Sequence, residues 1–412
     1  MSQRPFKFLH SGDFHLEQPG EGPPDAPEGL AEVLIECPYR AAKQVFDTAL
    51  AEEVDFVILA GNLLDVDLTG PRGMLFLVEQ FERLRERRVP VYWAAGEVDA
   101  AERRSSAFRL PENVRIFSSL RPEEIHIQRD GFKLAQLTGW SRPPGERVRP
   151  GDFRPDAGGL FSIAGVSGDV PTDESAARGI HYWALGGNAD RRTSSLFGAT
   201  AHWAGSPQGR GFHEVGPHGC TVVTVDAMGT ARDRFVATDA VRWHFHTLPI
   251  DSGTSLDQVR TMLDESIRTA SVTNGGVEVI ARWRLAAAGK VSPSLRRSGV
   301  LSDLLRNCQH AYRGNLRVWS ERVYVETEDS IELPDPSRES VLADYLRFAD
   351  LFDEAPTSEE SDKLFDFSAT AAMLTELRQW ADVLQVDDAV TRRRLVVEAV
   401  ALAHDLLAEE VE

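Results

Sequence analysis

Four apolar runs in the first half of the chain each end in a short polar turn. Phe6-Lys7-Phe8-Leu9 leads to Ser11-Gly12-Asp13-Phe14-His15, and the run 54–60 leads to Gly61-Asn62-Leu63-Leu64-Asp65. Val89-Pro90-Val91-Tyr92-Trp93 leads to Gly96-Glu97-Val98-Asp99, and the run 181–185 leads to Gly186-Gly187-Asn188-Ala189-Asp190. Continuous apolar runs of this length read as buried parallel strands, so the turns collect polar groups along one side of a sheet. Between the runs, residues 39–53 carry Ala42, Val45, Phe46, Ala49 and Leu50 at helical spacing, and 74–89 repeat the pattern with Leu75, Leu77, Val78, Phe81 and Leu84. A layered α/β core built from βαβ units follows. From 113 to about 225 short strands predominate, which predicts the second sheet of a sandwich.

The pattern then changes twice. Strand 241–250, helix 255–269, strand 277–285, a helix opened by Ser292-Pro293 and strand 316–326 predict a small βαβαβ module. Beyond Pro334 and Pro336 the strands stop, and three helical stripes remain at 341–352, 373–384 and 395–407, the first two separated by an acidic stretch. The expected organisation is a core at 1–240, a capping module at 241–335 and a helical region at 336–412.

A length of 412 residues exceeds what one core fills, in agreement with that division. Three well-separated cysteines, Cys37, Cys220 and Cys308, have no metal-type spacing and point to a reducing compartment. No signal-peptide pattern and no membrane-length apolar run is present, so a cytoplasmic chain without a membrane partner is expected. A net charge of −19 argues against a free-standing, non-specific nucleic-acid binder unless local basic clusters offset it. Of those clusters, Arg103-Arg104 and Arg191-Arg192 adjoin the polar turns.

The order of the four turns, with Tyr182-Trp183-Ala184-Leu185-Gly186 and Gly205-Ser206-Pro207-Gln208-Gly209-Arg210, resembles the calcineurin-like metallophosphoesterases of DNA double-strand-break repair, the SbcD/YhaO-like exonuclease family. The resemblance implies a four-layer α/β/β/α sandwich with a small α/β cap and C-terminal helices. It also implies a centre of two Mn²⁺-type cations that share a bridging carboxylate and activate water for phosphodiester cleavage. Asp13 and His15 match the first ligand turn. The bridging aspartate position is Asn62, and Glu97-Val98-Asp99 stands where the family has Asn-His-Asp, so the general-acid position is Val98. Three imidazole positions correspond to Ser167, Gly187 and Ala189. Two divalent cations about 4 Å apart repel by roughly 4 kcal/mol even at the dielectric of water, and a neutral amide does not offset this.

The expected metal site is therefore a weak or single-cation one at Asp13, His15, Asn62 and Glu97, holding one Mn²⁺ or other divalent ion, or none. Arg210, Arg103 and Arg191 are the candidate substrate contacts, with Arg210 equally suited to pinning its own loop. His244 and His246, which share one face of a strand, are a two-imidazole pair with no third ligand nearby. The preferred expectation is a subunit of impaired or absent nuclease chemistry. By resemblance it works with an SMC-like coiled-coil ATPase on DNA ends, and a homodimer is left open. The rivals are an active Mn-dependent exonuclease with a non-standard site and a regulatory protein unrelated to DNA.

Overall fold

The computed structural model describes residues 3–327, apart from 24–25, 100–108, 171–178, 197, 252, 288–294, 296–297 and 314–315. The predicted helical region at 336–412 and Arg103 lie outside the described residues.

The first sheet has six strands: β1 (Phe6–Ser11), β2 (Phe56–Gly61), β3 (Val91–Ala95), β4 (Val114–Ile116), β11 (Gly219–Val225) and β12 (Ala231–Ala237), in the order β12-β11-β1-β2-β3-β4. β1 through β4 run parallel to their neighbours, and β11 closes antiparallel on β1. The second sheet comprises β5 (Glu123–Arg129), β6 (Phe132–Trp140), β7 (Phe161–Ser167), β8 (Tyr182–Gly186), β9 (Arg192–Leu196) and β10 (Ala199–Trp203), in the order β5-β6-β7-β8-β10-β9. The stretch 113–225 is thus not one sheet. β4 and β11 extend the first sheet, and β11, buried at six of its seven positions, has the two-sided burial of an interior strand.

Two helices cover the outer face of the first sheet. α1 (Glu28–Ala51) begins well before the predicted 39, and Pro38, which reads in sequence as a helix start, lies inside it. The added turns place Leu30, Leu34 and Cys37 against Val241, Trp243, Ile280 and Trp319. α2 (Val66–Glu86) is capped by Asp65, whose carboxylate accepts from Asp67 N at 3.0 Å, and it kinks where Gly70 takes φ 59° before Pro71. Val45, Phe46, Leu77, Phe81 and Leu84 of these helices bury against Leu9, Val57, Leu59 and Trp93. Between the sheets lie Phe6, Phe8, Phe56, Ile58, Leu137, Ile163 and Tyr182. The far face of the second sheet, with Trp140, Val166, Trp183 and Leu185, is covered among the described residues by Val148, Phe153, Val170 and Ile180.

The inter-sheet layer also holds a polar cluster. Fully buried His202 hydrogen-bonds Thr193 Oγ1 and Thr221 Oγ1, each at 2.8 Å, and fully buried His10 meets the Tyr182 hydroxyl at 3.1 Å. Burial lowers the His202 imidazole to about 4, aided by the Arg191 charge; burial and neighbouring His202 hold His10 well below its ordinary value. Both rings are neutral in the fold.

A third sheet has the order β13 (Val241–Ile250), β14 (Glu278–Ala287), β15 (Val318–Thr327), with α3 (Leu256–Thr273) and α4 (Ser298–Arg313) between its strands. The chain divides into two compact units. Among the described residues, one takes those up to His246 with Glu265–Arg282 and Cys308–Arg322, and the other takes those within Thr247–Asp264, Trp283–Asn307 and Val323–Thr327. Both draw on the 241–335 stretch. None of the described helices is long and apolar enough to cross a membrane.

Candidate functional site

The polar turns converge because parallel strands of both sheets end together, and glycine permits the sheets to close at those ends. A Cβ on Gly12 would stand 1.6 Å from the Ala60 carbonyl oxygen, and one on Gly186 would stand 1.9 Å from the same atom. β1, β2 and β8 therefore abut through backbone alone.

Asp13 follows β1 at φ 52° and is buried, 3% exposed. Its carboxylate is satisfied by main chain from two turns. Oδ1 accepts from Asn62 N at 3.1 Å, and Oδ2 accepts from Gly187 N at 2.6 Å and Asn188 N at 3.3 Å. Burial nevertheless raises its carboxyl to about 6, outweighing those hydrogen bonds and the charge of His15. His15, also left-handed at φ 47°, pairs through Nδ1 with Glu17 Oε1 at 2.8 Å. The second oxygen of Glu17 accepts from Asp65 N at 2.9 Å. Burial pushes Glu17 upward, and the hydrogen bonds from His15 and Asp65 N overcome it, leaving the carboxyl below its ordinary value.

Asn62 turns its carbonyl Oδ1 to Val98 N at 3.1 Å. Asp99, fully buried, accepts from Gly96 N at 2.6 Å and Leu63 N at 2.8 Å, which ties the third turn to the second. Glu97 does not join Asp13 and His15. Its Oε1 meets Arg142 Nη2 at 3.1 Å, and Arg142 Nε donates to the Ser167 carbonyl at 2.8 Å. Ser167 and Gly187 do come together, since a Cβ on Gly187 would lie 3.0 Å from Ser167 Oγ, with φ at 81°.

The sequence reading missed Arg142 and Glu17. Each had a signal: Arg142 follows the end of β6, as the other site residues follow theirs, and Glu17 stands two residues past His15 in the same turn.

Two candidate substrate contacts are internally engaged. Arg210 forms a two-pronged pair with Glu214 and donates to Gln18 Oε1, so it fastens its own loop. Arg191 pairs with Asp233 at 2.8 Å and lies over the Phe235 ring. Arg191 also lines a polar pocket of about 290 Å³ with Asp190, Ser206 and His218. His244 and His246 stack on each other, with centroids 5.1 Å apart. Among the described residues, no group of three or more His, Cys, Asp or Glu side chains is disposed to hold a metal ion.

Residues 6–198 match the family model of calcineurin-like phosphoesterases, and the chain carries a calcineurin-like metallophosphoesterase domain. It is 28% identical over 374 residues to the uncharacterized metallophosphoesterase YhaO of Bacillus subtilis, an alignment covering 87% of this chain and 88% of that protein. It is 30% identical over 114 residues to the DNA double-strand break repair protein Mre11 of Archaeoglobus fulgidus, covering 28% of this chain and 24% of that one. Mre11 of Aeropyrum pernix is likewise 30% identical, over 168 residues, covering 41% and 34%.

Proposed function

We propose that this calcineurin-like phosphoesterase of the Mre11/YhaO type is a metal-poor, catalytically impaired subunit that serves at DNA ends together with a coiled-coil ATPase. The observation that carries the reading is the use of the ligand atoms. Asn62 offers one neutral carbonyl oxygen, and one of its two lone pairs accepts from Val98 N. Both oxygens of Asp13 receive backbone donors. Glu97, the one carboxylate that departs from the family pattern, is neutralised by Arg142.

The donor set does not fit a two-cation centre. A bridging anion is needed to hold two divalent ions together, and Asn62 is neutral; imidazole donors are needed for the second ion, and those positions are Ser167, Gly187 and Ala189. What the chain's own residues accomplish is the closure of the turns into a hydrogen-bonded plate, with Asp13, Asn62 and Asp99 as its fasteners. At the general-acid position, valine has no proton to give, and such help contributes about 10²- to 10⁴-fold in rate.

Manganese titration by calorimetry, anomalous scattering from manganese-soaked crystals and a nuclease assay on duplex ends test this. At most one weakly bound Mn²⁺ and background cleavage are expected. Two tightly bound ions, with turnover abolished by Asp13→Ala, overturn the reading. The ATPase partnership is tested by co-purification, which should be lost when the chain is truncated at Pro336.

A further inference from the structure

A pocket of about 470 Å³ shares no residue with the strand-end turns; it is lined by Glu278, Tyr312, Leu316 and Arg317. The backbone sets these groups side by side. Val279 N donates to the Arg317 carbonyl at 2.9 Å, so Glu278, the first residue of β14, stands beside the residues that lead into β15. Tyr312 belongs to the last turn of α4. Its ring stands nearly perpendicular to that of Trp319, with centroids 5.6 Å apart, and packs on the cluster that includes Leu30, Leu34 and Trp243. This aromatic wall is in place before any ligand arrives.

Glu278 is the unusual member. Its side chain is 17% exposed, its Oε2 is buried and meets no donor among the described residues, and its Oε1 lies 3.9 Å from Arg317 Nε, beyond hydrogen-bond length. Buried carboxylate oxygens ordinarily hold a donor, because their desolvation is otherwise uncompensated. Burial raises this carboxyl above its ordinary value, against the lowering charges of Arg317 and Arg40. Arg317 spends Nη1 on the Gly276 carbonyl at 2.5 Å, while its side chain stays 59% exposed. The same sheet does close such a pair elsewhere: Arg282 meets both oxygens of Glu321, at 2.5 and 3.0 Å. Glu278 and Arg317 instead line one pocket side by side, close enough to share a ligand and too far apart to hydrogen-bond each other.

We propose that this pocket binds a free α-amino acid with an apolar side chain. In such a zwitterion the ammonium and the carboxylate stand on one carbon, which matches the neighbouring Glu278 and Arg317. The ammonium donates to the Glu278 carboxylate, and the ligand carboxylate accepts from the Arg317 guanidinium. Leu316 and Tyr312 line the remainder, a surface for an aliphatic or aromatic side chain. A simple amine satisfies Glu278 but is repelled by Arg317 and Arg40, and a simple carboxylic acid meets Arg317 but is set against Glu278. The volume lies within the range of about 300 to 1,000 Å³ usual for small-ligand sites. The pocket is independent of the function proposed above, since it uses no group of the strand-end turns.

The test is isothermal titration calorimetry of the full-length protein with L-phenylalanine and L-leucine, carried to millimolar concentration. Both should bind one to one and raise the melting temperature of the wild type. Glu278→Gln, which keeps the shape and removes the charge, should weaken L-phenylalanine by about ten-fold or more, and so should Arg317→Gln, since each loses a charge-assisted hydrogen bond. Equal melting curves without ligand verify folding, and the exposed Arg317 position keeps the test decisive if Glu278→Gln unfolds. Phenethylamine lacks the carboxylate, hydrocinnamate lacks the ammonium and L-aspartate lacks the apolar side chain, so each should bind at least about ten-fold more weakly than L-phenylalanine. Absence of binding by both amino acids overturns the proposal, as does unchanged affinity in the folded variants. Phenethylamine bound as tightly as L-phenylalanine also overturns it and assigns the pocket to a cation such as a lysine side chain. Hydrocinnamate or L-aspartate bound as tightly overturns it in favour of a simple anion.

Discussion

The two halves of the strand-end cluster have kept different things. On the first sheet, the turns after β1, β2 and β3 carry polar side chains, Asp13, Asn62 and Asp99, and each accepts a hydrogen bond from the main chain of a neighbouring turn, from Asn62 N, Val98 N and Leu63 N in that order. On the second sheet, the end of β7 and the turn after β8 carry Ser167, Gly187 and Ala189. There Gly187 lies so close to Ser167 that a single added Cβ would touch its hydroxyl. The first half contributes side-chain acceptors, and the second contributes main-chain groups, the Gly187 and Asn188 amides and the Ser167 carbonyl, where side chains are small. A fold can thus keep the frame of a metal centre while using its oxygen atoms as fasteners, since a buried carboxylate needs donors whether or not a cation supplies the charge.

This contrast can be broken most severely where the halves meet. Gly12→Ala and Gly186→Ala each drive a Cβ into the Ala60 carbonyl, with backbone on both sides and no rotamer to yield. Each should cost more than about 3 kcal/mol and give a large fall in melting temperature or insoluble protein. A melting temperature within a degree of wild type would show that the sheets are free to separate at these ends.

Beneath the turns, His202 joins the halves through Thr193 of the second sheet and Thr221 of the first. Its imidazole is held at about 4, below the ordinary 6.5, because the buried ring resists charge. A histidine depressed in the fold contributes stability that is complete above about 6.5 and lost as pH falls towards 4, a change of about 3 kcal/mol, with His10 acting in the same direction. Asp13, raised to about 6, titrates in the opposite sense over the same window, so the slope of wild-type denaturant unfolding between pH 6.5 and 4 is the difference between the histidine and aspartate contributions. His202→Gln should remove the histidine part and shift the slope towards relatively greater stability at pH 4 than at pH 6.5; an unaltered slope would show that His202 does not contribute.

Restoring side chains to the second half should cost less. Gly187→His places a Cβ and its ring at φ 81° against Ser167, for a loss of about 1 to 3 kcal/mol, and calorimetry should find no second Mn²⁺ because Asn62 still cannot bridge. The smallest effect is expected for Val98→His. Val98 anchors Asn62 through its backbone N–H, which the substitution keeps, so stability should change by less than about 0.5 kcal/mol and duplex cleavage should remain at background. Cleavage restored by this one change would mean that only the proton donor was missing.

Much of this was legible in the chain. The apolar runs before Gly12, Gly61, Gly96 and Gly186 marked the strands and the places where polar groups would gather, because burial on both faces leaves a period-free apolar signature. The residue types at 62, 98, 167, 187 and 189 were likewise plain, and with them the chemistry of the donor set. The partners of those residues were not. Nothing local to Glu97 indicates Arg142, 45 residues away, and nothing near Asp13 indicates the amides of Gly187 and Asn188, more than 170 residues on. The same holds for β11, which reads as one more short strand yet pairs with β1 at the other end of the domain. The sequence by itself determined which groups stand at the strand ends, since side-chain identity and strand periodicity are local properties. Only the tertiary structure decided whom those groups bond, because hydrogen-bond partners across two packed sheets are set by register and sheet approach, which depend on contacts distant along the chain.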